Sequence, residues 1–385
     1  MTPRPFALQA LPPAAARLCL KVERFCRRDL ALPQGASLLL GLSGGADSSA
    51  LAVILHALAP RLGLQLHALS IDHGLRPESA ADAAHAQSLG QSLGLPCRIL
   101  QADVRGLAAR EGRGLEEAAR CLRYALLEAE RQACRADFIV LGHHAGDLSE
   151  DVLLRLLRGA GWPALGGMPA RDDARRLLRP LLHTEPAALR ALLRHCGLTW
   201  REDASNQDAR FRRNRLRHAV LPLLRAENPS LDRSLCDLWQ LARQDEDYWR
   251  QATDAALAAH PWEESADAAG RSLYLPPALL RTLHPAARLR LYLRAVRQLC
   301  GRGATAAERR GPAAPAAGHQ AQDGDPAEPL AAPGAQARAR TLLALDAALT
   351  QGRGQTCFQL PGGITAHILK GGVRFSVRTA ALPRC

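Results

Sequence analysis

The sequence predicts an α/β protein: a parallel sheet with helices on both faces, then a mainly helical domain, then a small α+β tail. Three observations carry this expectation. Short apolar runs alternate with helix-period segments through the first half of the chain. Long amphipathic stretches follow, and turn-separated β segments close it. Strands alternating with helices need crossover connections, which makes the strands parallel and the sheet Rossmann-like.

The first strand is the run Ser37 to Leu42, and an amphipathic helix is expected over Ser49 to Leu62. Further strands are read at Leu64 to Ile71, Cys97 to Leu100 and Asp137 to Leu141. They alternate with helices at Glu78 to Leu93, Leu115 to Cys134 and Glu150 to Leu157. A last βα unit spans Arg176 to Leu182 and Glu185 to Cys196, and the domain is taken to be 1–228. Residues 229–300 read as helical, with long amphipathic stretches at Leu231 to Leu257 and Pro285 to Leu299. Residues 301–338 collapse to Ala, Gly, Pro and Gln, too few large apolar groups to offset ordering entropy, and are expected to be a mobile insertion. Residues 339–385 form the tail, where Thr356 to Leu360, Ile364 to Leu369 and Val373 to Val377 are strands separated by Gly-rich turns.

The chain has 385 residues and a net charge of +13, nearly all of it arginine, since Lys21 and Lys370 are the only lysines. Length points to two domains, and the charge fits a polyanion such as nucleic acid. No apolar run is long enough to span a membrane and the N-terminus lacks the build of a signal peptide, so a cytoplasmic location is expected. Ten cysteines are scattered without a CxxC pair, which fits structural thiols better than zinc or an iron–sulfur cluster.

In open parallel sheets ligands bind beyond the C-terminal strand ends, where the strand order reverses. The residues that carry chemistry stand there. Ser43, Gly44, Gly45, Ala46, Asp47 and Ser48 follow the first strand, Asp72 to Arg76 the second, and Gly142, His143 and His144 the fourth. Two glycines and a small Ala46 let backbone N–H groups approach an anion at a helix N-terminus. The loop lacks the Lys-Ser/Thr ending of a Walker loop, so a kinase or GTPase is not expected. An ordinary turn with Asp47 and Ser48 as helix caps is the alternative.

Six stretches, in order, are similar to the bacterial tRNA(Ile)-lysidine synthases of the ATP pyrophosphatase (PP-loop) superfamily. They are SGGADS at 43–48, DHGLR at 72–76, GLEEAARCLRY at 114–124, GHHAGDLSEDVLLRLLRGAGWPALGGM at 142–168, RPLL at 179–182 and SNQDARFRRNRLRHAVLPLL at 205–224. The resemblance implies an enzyme that uses ATP and Mg²⁺ to join L-lysine to the wobble cytidine of the isoleucine tRNA with a CAU anticodon. A homodimer is one of the assemblies open to it.

On that footing Ser43, Gly44, Gly45, Ala46, Asp47, Ser48, Asp72 and His73 bind ATP, and Asp47 holds Mg²⁺ against the pyrophosphate. Asp147 and Glu150, three apart at a helix start, serve the metal or the incoming amine, and His143 or His144 is the proton acceptor. Arg76, Arg120, Arg123, Tyr124, Arg158, Asn206, Arg213, Asn214 and Arg215 are assigned to tRNA or lysine. Arg120, Arg123 and Tyr124 share one helix face, a pairing of charge and ring that suits RNA. Five arginines crowd into residues 210–217 and repel one another unless something negative is near, either RNA or a salt-bridged strip with Glu202, Asp203 and Asp208. The family pattern His-His-x-Asp-Asp-Gln-x-Glu-Thr is broken by Gly146, Leu148 and Asp151. A tRNA thiolase of the same superfamily, and a degenerate nucleotide-dependent tRNA binder without turnover, are the rival readings.

Overall fold

The computed structural model describes residues 6–202, 211–267, 270–301 and 339–378. The expected insertion therefore lies outside the described residues apart from Gly301, as does Asn206. The chain divides into two compact units, one built from residues up to Leu153 and from Gly167–Asp237, the other from Leu154–Gly166 and the described residues from Leu238 onward.

In the first unit the strands are β1 (Ser37–Gly41), β2 (Gln65–Asp72), β3 (Cys97–Gln101), β4 (Phe138–Val140), β5 (Arg171–Asp172) and β6 (Leu177–Leu178). They form one sheet in the order β3-β2-β1-β4-β6-β5, parallel except for the short β5 at its edge. The order reverses between β1 and β4. Right-handed crossovers to opposite sides of β1 place the connecting helices on opposite faces. Leu38, Leu39 and Leu40 are accordingly all buried, an apolar run rather than an alternation.

The helices are α1 (Pro13–Arg28), α2 (Ala46–Leu62), α3 (Ser79–Ser92), α4 (Val104–Glu111), α5 (Leu115–Ala133), α6 (Ala145–Leu157) and α7 (Pro186–His195). On one face Leu127 of α5 packs with Leu39, Leu69, Ile139 and Leu177. On the other, α2 lies between the sheet and a layer made by α1 and α7. This corrects the expectation that α2 is amphipathic: every residue from Ser48 to Leu55 is buried, because the helix is covered on both sides. Gly45, extended, precedes its first residue, and Gly63, left-handed at φ 63°, closes it. α4 is not among the expected elements, although Asp103 caps it by accepting from Gly106 N at 2.8 Å.

Past α7 come α8 (Arg212–Arg215), a π-helical turn (Leu216–Val220), α9 (Leu221–Glu227) and the long α10 (Leu231–Ala259). The second unit adds β7 (Glu263–Asp267), β8 (Gly270–Leu275), α11 (Pro277–Arg281), α12 (Pro285–Gly301), α13 (Ala339–Thr350), β9 (Cys357–Leu360), β10 (Ile364–Leu369) and β11 (Gly372–Arg378). Its sheet is antiparallel, in the order β7-β8-β11-β10-β9. The tail strands stand where the sequence puts them. The hairpin β7–β8 inside the stretch read as helical is new, and it joins the tail strands in one sheet.

The unit's core gathers Leu273, Leu291, Tyr292, Leu345, Ile364 and Phe375. Within it Arg288 of α12 grips Asp346 of α13 through two bonds of 2.7 Å, and Tyr292 donates to the same carboxylate at 3.0 Å. Burial first, and then Asp346, push the Tyr292 phenol well above its ordinary value. Among the described residues no helix is long and apolar enough to cross a membrane.

Candidate active site

The loops after β1 and β4, the two strands flanking the reversal, meet at the α2 N-terminus. A Cβ on Gly142 would stand 3.0 Å from the carbonyl carbon and oxygen of Asp47, so only glycine lets the second loop lie against the first. The Ser43–Ser48 loop is a closed turn. Gly44 is left-handed at φ 78°, Ser43 N–H donates to Ser48 Oγ at 3.2 Å, and Ser48 Oγ donates to Gly45 O at 3.1 Å. Arg201 N–H donates to Gly44 O at 2.9 Å and ties a distant segment to the same turn. Ala46 opens α2, and Asp47 stands in its first turn. The Asp47 Oδ2 atom lies 3.5 Å from His144 Nε2, while its Oδ1 is buried without a hydrogen-bond partner. A buried carboxylate oxygen left in that state at a helix N-terminus fits a cation.

His144 precedes α6. Its backbone N–H donates to Asp147 Oδ2 at 2.9 Å, and its Nδ1 lies 3.3 Å from Asp147 N and 3.4 Å from Asp147 Oδ2. Burial opposes protonation of the ring, but Asp147 and then Asp47 outweigh it and raise His144 above an ordinary histidine. His143 is held differently. Its Nδ1 accepts from Arg179 Nε at 3.1 Å, and since a guanidinium only donates, the ring proton is assigned to Nε2. Neither ring therefore presents an idle acceptor nitrogen. Arg179, itself buried, is anchored by donating to Pro169 O at 2.6 Å.

Asp147 and Glu150 are brought together on α6, as their spacing implies, and both are occupied. Arg213 donates to Asp147 Oδ1 at 2.8 Å and to Glu150 Oε2 at 2.5 Å. Arg217 reaches Glu150 Oε1 at 2.5 Å and Asp147 Oδ1 at 3.3 Å. Glu150 is only 2% exposed. Burial alone would raise the Asp147 carboxyl, yet His144, Arg213 and His143 hold it far below the usual carboxylate range. Arg213 lies on α8 and Arg217 on the π-helical turn, one helical turn apart, so both guanidinia meet the same acids. Two of the five crowded arginines thus neutralise α6 carboxylates. Arg215 is exposed and Asn214 buried. Arg217 was named only within the crowd; its i, i+4 relation to Arg213 was the available signal.

Around this centre, Asp72 is committed to its own turn, accepting from Gly74 N at 2.9 Å and from Ser79 Oγ, and these bonds, Ser79 first, lower its carboxyl. His73 follows it, half-buried, and Arg76 pairs with Asp82 at 3.3 Å. On α5 the Tyr124 ring packs into the core with the Arg120 and Arg175 guanidinia 5.3 and 5.4 Å from its centre. Arg123 is exposed, on the same helix as Arg120. Arg158, at the end of α6, belongs to the second unit, and left-handed Gly159 follows it. Of the family-pattern departures, Leu148 and Asp151 are buried, and Gly146 stands beside the His144 ring.

A family model described as a PP-loop domain matches residues 18–224. The chain is 47% identical over 349 residues to a tRNA(Ile)-lysidine synthase of Nitratidesulfovibrio vulgaris, an alignment covering 88% of this chain and 91% of the relative. It is 37% identical to that of Solibacter usitatus, covering 69% and 58%, and 33% identical to that of Geobacillus kaustophilus, covering 71% and 60%. The chain thus spans nearly all of the first relative and about three fifths of the other two. A U34-tRNA thiolase from Methanococcus maripaludis shares the fold, with a TM-score of 0.50 at 18% identity, covering 60% of this chain and 79% of that one.

Proposed function

The chain belongs to the tRNA(Ile)-lysidine synthase family, and on that footing we propose that it joins L-lysine to the wobble cytidine of an isoleucine tRNA with a CAU anticodon, converting ATP to AMP and pyrophosphate. One observation carries the reading. The closed Ser43–Ser48 turn and the α6 N-terminus meet at the reversal of the strand order, and the turn's Asp47 keeps a buried oxygen unpartnered. That is the place and the charge a cation-bound triphosphate requires.

The cytidine carbonyl oxygen attacks the α-phosphorus, and pyrophosphate leaves. The neutral ε-amine of lysine then attacks the activated ring carbon, and AMP leaves with the oxygen. Phosphoryl transfer of this kind depends on positioning and charge compensation. Ser43, Gly44, Gly45 and Ser48 cradle the pyrophosphate with backbone N–H and hydroxyl groups. Asp47 is the residue that would hold Mg²⁺, which neutralises phosphate charge and favours pyrophosphate as leaving group. His143, with its proton on Nε2, donates toward phosphate oxygens. Arg213 and Arg217 hold Asp147 and Glu150 fixed, a preorganised field for the amine.

The exposed Arg123 and Arg215 contact tRNA. Residues 1–228 are the adenylating domain and 229–300 a helical tRNA-binding region, completed by 339–385. Supporting this, Trp239, Trp249 and Trp262 each carry a guanidinium, from Arg243, Arg290 and Arg294, at 5.7–5.8 Å, and α12 carries Arg290, Arg294 and Arg297 besides the core-paired Arg288 and has no acid. The enzyme would act in the cytoplasm, where its tRNA is.

Pyrophosphate release assayed with tRNA, ATP and each amino acid in turn tests the proposal. Sustained, multiple-turnover release that requires both lysine and the isoleucine tRNA is expected, with no more than a single-turnover burst when lysine is left out. Tight tRNA binding with no release under any condition would replace it with a non-catalytic binder, and sustained turnover without lysine would point to a different acceptor chemistry.

A further inference from the structure

Gly146 occupies the first turn of α6, where alanine would be the better helix former. Its φ is not in the left-handed region, so backbone conformation does not ask for glycine. The space does. A Cβ built there would stand 2.9 Å from His144 Cε1 and 3.1 Å from His144 Nδ1; the next nearest atom, Arg225 Nη2, is 3.9 Å away. The ring that fills this space is buried and reaches two carboxylates at once, Asp47 Oδ2 from Nε2 at 3.5 Å and Asp147 Oδ2 from Nδ1 at 3.4 Å.

The room for the ring to retreat is small. Asp147 is pinned by Arg213 and by the His144 backbone N–H, and Arg225 is engaged in two bonds of 3.0 Å to Asp232. A side chain at position 146 therefore displaces the imidazole from its place between the acids rather than being absorbed by its neighbours. The family pattern carries an aspartate at this point beside the same histidine; in this chain the ring alone takes the volume.

We propose that Gly146 is a positioning residue: by yielding its side-chain volume to the His144 ring, it lets the imidazole brace Asp47 from one oxygen and leave the other for the cation of the bound nucleotide. This inference rests on the reading that Asp47 serves that cation. Gly146 touches no substrate and acts only through His144. The His144 brace links the loop after β1 to the helix after β4, so the carboxylate geometry of the first loop is set by a residue that is missing an atom in the second.

The test measures the affinity of the full-length protein for ATP with and without Mg²⁺, together with its thermal midpoint. Gly146→Ala is expected to weaken Mg·ATP binding about tenfold, the size of a direct-contact coupling, while affinity for metal-free ATP changes little. In a His144→Ala background the same substitution is expected to cost nothing further and to raise the midpoint, as helix propensity alone dictates. Wild-type Mg·ATP affinity in Gly146→Ala, or an equal loss in both backgrounds, would overturn the proposal. If Gly146→Ala folds poorly, recovery of folding in the double variant supports it and failure to recover refutes it. Asp47→Ala separates the two levels. Retained Mg²⁺-dependent binding in that variant removes the underlying reading, whereas loss there beside no effect at Gly146 removes only this inference.

Discussion

The loops that follow β1 and β4 each present carboxylates at a helix N-terminus, yet in opposite electrostatic states. Asp47 has one oxygen on His144 and one buried without a partner. Asp147 and Glu150, on the neighbouring helix, are saturated by Arg213 and Arg217. On the proposed function, the contrast separates a seat for a mobile cation from a seat whose cations are part of the chain. A metal taking Asp147 or Glu150 would have to displace a guanidinium, and a buried ion pair broken from one side is costly. On that reading the same residue type would serve recruitment in one loop and preorganisation in the other.

The largest expected effect comes from breaking the open member of the pair. Asp47→Ala is expected to reduce pyrophosphate release by about a thousandfold or more, the scale of a lost preorganised charge site, and to leave tRNA affinity and the thermal midpoint nearly unchanged. A drop in the midpoint would mean that Asp47 is structural. The closed member predicts the reverse order of effects. Arg213→Ala leaves buried Glu150 and Asp147 under-compensated and is expected to destabilise the protein by about 3–5 kcal/mol in urea unfolding. A cost below about 1 kcal/mol would show that the arginines are held for RNA rather than for the acids.

Acid should spare the lock and strike elsewhere. Asp147 titrates well below an ordinary aspartate, so its stabilising contribution is present above the unfolded value near 3.8 and is lost only as pH falls through its depressed folded value. His183, packed on Phe25, is pushed down to about 4 by burial and then by Lys21. The unfolded chain takes a proton near pH 6.5 that the folded chain refuses. Stability is therefore complete above that pH and falls by roughly 3 kcal/mol as pH drops toward 4. A urea midpoint that is flat from pH 7 to 4.5 would contradict this assignment. The smallest effect belongs to the exposed Arg215. Arg215→Ala is expected to lower the salt slope of tRNA binding by roughly 1 with stability unchanged, and an unaltered slope would remove it from the RNA surface.

Much of this arrangement is legible in the sequence. The first, second and fourth strands of the first unit announce themselves as apolar runs followed at once by residues with chemistry in them, because a parallel sheet puts its C-terminal ends on one side. The five arginines of 210–217 also signalled a missing anion correctly. Which anion was not legible: pairing Arg213 and Arg217 with acids on α6 depends on how α8 and the π-helical turn pack, not on local spacing. The Glu202, Asp203 and Asp208 strip offered as the alternative lies mostly outside the described residues. The amphipathic expectation for α2 failed because a helix covered by sheet on one side and by α1 and α7 on the other needs no polar stripe. The β7–β8 hairpin escaped notice because Glu263 and Glu264 obscure the alternation, which shows only in Leu273 and Leu275 of the partner strand. Gly146 breaks the family pattern in the sequence, but that the His144 ring stands where its side chain would be is visible only in the structure.

The bond from Arg201 N–H to Gly44 O also has a temporal side. A ribosome delivers Gly44 early and Arg201 much later, and His85 likewise waits for the Thr199 carbonyl, 3.2 Å from its Nε2. The nascent chain can fold its first strand and helix soon after they emerge, but the turn between them is not clasped until the segment around Thr199 to Arg201 leaves the exit tunnel. By then every strand of the first sheet has been synthesised, so the Ser43–Ser48 turn gains its last backbone anchor only on a finished sheet.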